Sequence, residues 1–223
     1  MGKKTDPDGD VFSTGNIRID MIDFEILKTI KGFMDGEEAL RLYEEAKAAS
    51  RMGPVLEIGS YCGRSAVIIG TACREENSIL FSIDHHRGSE EQQKGQEYFD
   101  PDLYDERTNR INTFPFFREA LAKTGLEDSV IPIVSSSATA GRMWKTPLAM
   151  VFIDGGHSLG AARGDFETWS PHLIQGGLLV LHDIFMDPAK GGQAPRMVYE
   201  QALETGAFDS LEMTKTLGVL RKK

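Results

Sequence analysis

Apolar residues along the chain fall into short continuous runs separated by segments with helical spacing. Five runs predict buried strands, at residues 55–58, 79–84, 130–134, 148–154 and 178–183. Such runs, with a helix between most of them, are typical of a parallel sheet that is covered on both faces. Two more runs, at residues 208–214 and 217–221, predict a closing hairpin.

The helical segments complete this picture. Leu40, Tyr43 and Ala46 recur every three residues and predict a helix that ends near Gly53. Further helices are predicted from Ser65 onward and at residues 105–124 (with a break before Pro115), 159–171 and 195–204. The alternation predicts an α/β fold, a doubly wound and mostly parallel sheet with helices on both faces.

Length and charge narrow the class of protein. The 223 residues fit a polar tail with an apolar cap segment at 1–35 and one domain at 36–223. A net charge of −9 disfavours nucleic acid as the main partner. Cys62 and Cys73 match no metal motif and predict buried thiols in a reducing compartment. No apolar run is long enough for a membrane span, so we expect a soluble, cytoplasmic protein.

A glycine motif, Glu57-x-Gly59-x-x-x-Gly63, follows the first predicted strand. Gly59 allows a sharp turn and Gly63 a close approach of the backbone to a ligand, while the next helix offers free N–H groups to an anion. A dinucleotide fingerprint would need glycine where Tyr61 stands, so that fingerprint fails. The alternative is a helix that packs tightly on a strand.

Acidic residues follow several predicted strands. Asp84 closes the second strand, about 20 residues past the glycine turn, where such folds bind ribose hydroxyls. The alternative role for Asp84 is a solvated turn residue. Glu57, Asp154 and Asp183 lie at corresponding strand ends, and carboxylates crowded at one edge repel each other unless a cation or ligand relieves them.

The quoted motifs give the chain a family resemblance. Glu57-Ile-Gly-Ser-x-x-Gly-Arg-Ser65, Ile153-Asp-Gly-Gly-His157 and His182-Asp183 resemble class I S-adenosylmethionine-dependent methyltransferases of the family 24 type. The resemblance implies a seven-stranded Rossmann-like sheet and S-adenosylmethionine as the cofactor. The cofactor-binding residues that it implies are Glu57, Gly59, Ser60, Gly63, Ser65, Asp84, Ser136 and Asp154. Ser136 lies where relatives bond adenine, and its alternative role is a helix cap.

Relatives that methylate sugar hydroxyls suggest the chemistry of the remaining residues. They bind magnesium through residues that match Asp154, His182 and Asp183, but here a histidine replaces a glutamate. Imidazole suits a softer ion, so either the metal differs or the site is lost, with His182 hydrogen-bonded in the core and Asp154 holding a water. His157 matches the proposed base and, with Asp154, is our catalytic candidate; a structural histidine is the alternative.

The expected reaction is methyl transfer to a hydroxyl of a small molecule, of sugar or natural-product type. Residues 85–104 and 17–34 are the candidate lid and acceptor pocket. Three other readings stay open: a binding protein without turnover, a hydroxylase-like relative, and, least favoured, an NAD-dependent oxidoreductase. The acceptor itself and a homo-oligomeric state are left open.

Overall fold

The computed structural model describes residues 23–156 and 158–223. Within this part of the chain the strands are β1 (Val55–Ile58), β2 (Leu80–Asp84), β3 (Tyr104–Asp105), β4 (Arg110–Ile111), β5 (Val130–Val134), β6 (Leu148–Ile153), β7 (Leu173–Leu181), β8 (Phe208–Ser210) and β9 (Gly218–Lys222). The helices are α1 (Phe24–Thr29), α2 (Gly36–Ser50), α3 (Arg64–Glu75), α4 (Phe114–Thr124), α5 (Ser137–Gly141), α6 (Leu159–Trp169) and α7 (Ala194–Glu204).

The main sheet has seven strands in the order β5-β2-β1-β6-β7-β9-β8. The first five strands in this order are parallel, and β9 runs antiparallel to both β7 and β8. This arrangement confirms the predicted doubly wound α/β fold and its closing hairpin. The carboxyl ends of the parallel strands share one edge, where ligands bind in open sheets of this kind.

Successive side chains of each central strand enter opposite cores. In β1, Val55 packs with apolar residues of α2, α3 and α4, whereas Leu56 and Ile58 pack with those of α6 and α7. Every residue of β1 and β6 is buried, as expected for strands covered on both faces. Leu27 of α1 belongs to the first of these cores, so the described part of the predicted cap segment is packed on the domain.

The helix predicted at residues 105–124 is wrong in its first half. Residues 104–105 and 110–111 form the short antiparallel pair β3–β4, and helix begins only at Phe114. Pro115 fits the first turn of α4 because that turn needs no N–H from it, and Gly125 ends the helix in a left-handed conformation. The break predicted at Pro115 is therefore the start of the helix.

Both cysteines are free and buried, as predicted. Cys62 packs with Leu103 and Ile111 in a small separate cluster, so the segment 85–104 is attached to the domain beside the glycine motif. Across residues 23–156 and 158–223, no helix combines the length and the apolar character needed to cross a membrane.

Candidate functional site

The glycine turn, residues 59–63, connects β1 to α3 and lies against the end of β6. Gly59 has a φ of 88°, and a Cβ added there would lie only 2.1 Å from the carbonyl oxygen of Asp154. Only a residue without a side chain permits this contact. Gly59 therefore brings the predicted cofactor loop and the acidic edge of the sheet together.

Gly63 has a different role from the one predicted. Its φ of 97° favours glycine, but an added Cβ would point at Phe117, 3.2 Å from Cδ2, and at Ala120. The missing side chain makes room for α4, so the expectation that it makes room for a cofactor is wrong. Whether the backbone of Gly63 contacts the cofactor stays a prediction.

Two polar side chains, one near the end of β1 and one in the glycine turn, are buried. Glu57 is fully buried, and its Oε2 accepts a 2.7 Å hydrogen bond from the Ser82 hydroxyl. Ser60 Oγ has no hydrogen bond among the described residues, and Glu57 Oε1 has none of good geometry there, although the nearby Ser65 hydroxyl lowers the pKa of Glu57. Burial, reinforced by the charges of Asp154 and Asp84, raises the pKa of Glu57 to about 8. An unpaired buried polar atom is costly, so Ser60 Oγ suits a site that a ligand completes.

Asp84 lies where it was predicted, at the end of β2, and is bonded to the glycine turn. Its Oδ2 accepts from the backbone N–H groups of Ser60 (3.1 Å) and Tyr61 (2.9 Å), and its Oδ1 from that of His86 (2.6 Å). A side-chain exposure of 15% argues against a solvated turn residue. A carboxylate offers about four acceptor positions, so binding both ribose hydroxyls requires one of these bonds to be shared or exchanged.

Two further predicted cofactor residues, Ser136 and Ser65, lie at the N-terminal ends of helices. Ser136 caps α5, since its Oγ accepts from the N–H of Thr139 and donates to the Thr139 hydroxyl. The capping role is therefore present, and contact with adenine stays a prediction. Ser65 is buried in the first turn of α3, directly after the glycine turn.

The second group, which we call the rim cluster, consists of Glu38, Asp154, His182 and Asp183. Asp154 follows β6, while His182 and Asp183 follow β7. The buried imidazole of His182 places Nδ1 3.3 Å from Asp154 Oδ1 and 3.5 Å from Asp183 Oδ1. Its Nε2 is 3.1 Å from Glu38 Oε2. The tertiary structure thus joins the three predicted metal ligands and adds a fourth residue, Glu38.

Glu38 was not predicted from the sequence as a site residue. It lies in the first turn of α2, where the Asp35-x-x-Glu38 spacing signals only a helix cap. Its Oε1 accepts 2.7 Å bonds from the N–H and the hydroxyl of Thr216. Burial alone would raise the pKa of Glu38, but His182 and Thr216 lower it to about 2.

The same contacts decide the charge of His182. Burial alone would lower the pKa of this imidazole, but Asp154, Glu38 and Asp183 raise it well above its ordinary value. The alternative role of His182, a hydrogen-bonded residue of the core, is thus observed in its bond to Glu38. An imidazolium and a metal ion would compete for the same Nδ1 atom.

The donor set also fits a cation. Asp154, His182 and Asp183 each offer one ligand atom, and these atoms lie within 4.8 Å of one another. The N–O separations of 3.3 and 3.5 Å are close to the roughly 3.4 Å between two ligands of a tetrahedral ion with bonds of about 2.0–2.2 Å. Glu38 holds the other ring nitrogen, as carboxylates behind metal-bound histidines do.

His157, the predicted base, lies outside the described residues. The motif that follows it is structural: Asp165 is buried in α6, and Trp169 donates a 2.7 Å bond from Nε1 to the Ser137 hydroxyl. Burial raises the pKa of Asp165 to about 6, and Ser137 partly opposes this. These residues attach α6 to α5 beside the site.

Comparisons with known proteins identify the family of the chain and relate its fold to solved structures. The family model described as a methyltransferase domain matches residues 56–184. The O-methyltransferase from Bacillus cereus, solved with SAH, has a TM-score of 0.62 at 13% identity, covering 90% of each chain. The O-methyltransferase TomG from Streptomyces achromogenes, solved with SAM, has a TM-score of 0.58 at 17% sequence identity. The match covers 85% of this chain and 81% of TomG. The O-methyltransferase NovP has a TM-score of 0.63 at 13% sequence identity, and the match covers 84% of this chain and 80% of NovP. At these identities the structural likeness concerns the fold.

Proposed function

Since the chain belongs to the methyltransferase-domain family that its residues 56–184 match, we propose that it transfers a methyl group from S-adenosylmethionine to a hydroxyl of a small molecule. The observation that carries this proposal is the glycine turn itself, where the buried Ser60 Oγ has no partner among the described residues and Asp84 binds the backbone. Similar folds solved with SAM or SAH support the choice of cofactor.

The residues of the chain divide the work of such a reaction. When bound, the cofactor supplies a methyl group on a positively charged sulfur. Glu57 and Ser60 offer it polar contacts, and Asp84 accepts from a ribose hydroxyl through its remaining acceptor position. The sulfur of the cofactor is already a good leaving group, so the protein has little activation to supply. Its main tasks would be to align the acceptor oxygen with the methyl carbon and to exclude water.

The acceptor hydroxyl must lose a proton during transfer, and we assign this step to His157. It follows Asp154 by three residues, after the turn Gly155-Gly156 at the acidic edge of the sheet. A neutral imidazole has a suitable ordinary pKa. Asp154 would orient the acceptor, either directly or through a cation.

A divalent cation at Asp154, His182 and Asp183 is a second part of the proposal. Its ligand set of one imidazole and two carboxylates suits a transition-metal ion better than magnesium, which prefers six oxygen ligands. Such an ion would supply Lewis-acid polarisation of the acceptor oxygen. Calorimetric titration with Mn²⁺ and Zn²⁺, with magnesium as the comparison, tests binding independently of turnover.

Cofactor binding should depend on Asp84. Asp84→Ala removes charge-assisted hydrogen bonds worth roughly 1.5–3 kcal/mol each, so we expect at least about tenfold weaker binding of S-adenosylhomocysteine by calorimetry. The matched control is Asp209→Ala, which removes an exposed acid from β8. Equal affinity of the two folded variants for S-adenosylhomocysteine would remove Asp84 from the site.

Turnover should depend on His157 in another way. Loss of a general base costs about 10²–10⁴ in rate, so His157→Ala should slow methyl transfer and leave the affinity for S-adenosylhomocysteine unchanged. A chelator should slow the wild type only if the cation takes part. Wild-type turnover by His157→Ala would show that another group or water accepts the proton.

A further inference from the structure

Two exposed aromatic side chains lie side by side at the site. Among the large hydrophobic residues of ranges 23–156 and 158–223, Phe33 (57% exposed) and Tyr98 (49%) are the aromatic members of the exposed set. Their ring centroids are 6.1 Å apart and the rings meet edge to face, at 73°. Phe33 precedes α2, and Tyr98 belongs to the predicted lid, so two distant segments contribute one ring each.

This aromatic pair lies beside the glycine turn. The ring of Phe33 is 6.0 Å from that of Tyr61, whose backbone N–H is bonded to Asp84. Burial raises the pKa of Tyr98, and Asp183 is among the nearby acids that add to this rise. The exposed rings therefore lie beside the glycine turn, and Tyr98 is within electrostatic range of Asp183.

Polar contacts fix the two segments relative to each other. Lys31 forms ion pairs with Asp100 and, at 2.9 Å, with Asp102. Arg64, the first residue of α3, donates a 2.9 Å bond from Nε to the carbonyl of Ile30. These contacts hold residues 30–33 and 98–102 next to each other, and the exposed ring faces of Phe33 and Tyr98 are a contact surface for a ligand.

We propose that Phe33 and Tyr98 bind the flat ring of an aromatic methyl acceptor, which makes the substrate class a phenol-type hydroxyl compound. The inference rests on the proposed function and specifies its acceptor. A contact between two aromatic rings contributes about 0.5–1.5 kcal/mol of free energy in addition to the contribution of the area that it buries.

The test compares phenol with cyclohexanol, which has a similar size and one hydroxyl but no aromatic ring. Both are titrated by NMR into the protein saturated with S-adenosylhomocysteine. We expect phenol to bind at least about threefold more tightly than cyclohexanol, as ring contacts of this size imply. Phe33→Leu and Tyr98→Leu should each remove most of that preference. Met143→Ala, which removes an exposed side chain elsewhere, should keep it.

Three results would overturn the proposal that Phe33 and Tyr98 bind an aromatic ring. They are equal binding of phenol and cyclohexanol, no binding of phenol, and an unchanged preference for phenol in both leucine variants. Tighter binding of methyl glucoside than of phenol also overturns it and favours a sugar acceptor. The affinity for S-adenosylhomocysteine, measured in the same samples, is the separate check on the proposed function. If S-adenosylhomocysteine does not bind but the protein still prefers phenol to cyclohexanol, the methyl-transfer proposal fails and the proposal that Phe33 and Tyr98 bind an aromatic ring stands.

Discussion

Glu57 under the glycine turn and Glu38 in the rim cluster are both almost fully buried, yet their acidities move in opposite directions. The pKa of Glu57 rises to about 8 and that of Glu38 falls to about 2. Burial acts in the same direction on both carboxyl groups. The difference therefore comes from their partners: a serine hydroxyl and nearby carboxylates for Glu57, an imidazole and Thr216 for Glu38.

The comparison shows that the chain balances charge on one side of the site only. The rim cluster contains its own cation in His182, which lies between Glu38, Asp154 and Asp183. The cofactor side keeps Glu57 protonated and leaves its Oε1 without a hydrogen bond of good geometry in the described part of the chain. In the proposed function that side receives a positively charged cofactor, so the missing compensation lies where a cation would bind.

The largest expected effect concerns Gly59, which joins the two regions. Gly59→Ala forces a Cβ to within 2.1 Å of the Asp154 carbonyl oxygen, and no flexible side chain is available to move away. We expect a loss of more than about 4 kcal/mol in the free energy of unfolding, the range of severe core disruption. Urea denaturation measures it.

Gly63→Ala is the matched variant, because its φ is also positive but its Cβ would meet Phe117 and Ala120 at 3.2–3.4 Å. Backbone strain of about 1–3 kcal/mol is the expected cost there. Equal stability of the two variants would mean that the glycine turn moves freely from β6, and that the two regions are not coupled through Gly59.

The second effect concerns the rim cluster, where His182 balances the charges of the acids. Glu38→Ala leaves the buried imidazole of His182 without its Nε2 partner and removes two bonds to Thr216. Removing one partner of a buried ion pair costs about 3–5 kcal/mol. Glu37→Ala, on the exposed side of the same turn, should change unfolding by less than about 0.5 kcal/mol. Matching urea midpoints for both variants would show that Glu38 and His182 are not coupled.

The third effect is the pH dependence of stability. Glu57 keeps its proton in the folded chain up to about pH 8, but its ordinary value is 4.5, so the wild type loses stability as pH rises between these values. Glu57→Gln should remove this loss and gain most over the wild type at high pH. Thermal melts across the pH range measure it.

The contribution of Glu38 to stability depends on pH in the opposite direction. Its pKa lies below the ordinary 4.5, so its contribution is complete above that value and is lost as pH falls toward 2. Glu38→Gln should therefore differ most from the wild type at neutral pH and least in acid. Parallel melting profiles for the two glutamine variants would contradict the contrast between the regions.

Much of the fold was predictable because its signals are local. Continuous apolar runs predicted the parallel strands, three-to-four spacing predicted α2, and α6 and α7 were predicted from the segments that separate or follow the strands. The hairpin β3–β4 was missed because strands of two residues have no detectable period. Gly63 was assigned correctly as a turn glycine but for the wrong neighbour, since α4 is distant in sequence.

The sequence alone determined the order of the elements and, through them, that Asp84, Asp154 and Asp183 end at one edge of the sheet. It did not determine how those acids are compensated. Glu38 lies 144 residues from His182 in the chain, and Phe33 and Tyr98 come from separate segments, so no spacing relates them. Charge balance and ring contact depend on distances of a few ångströms, and only the packing of α2 and of residues 85–104 over the sheet fixes those distances.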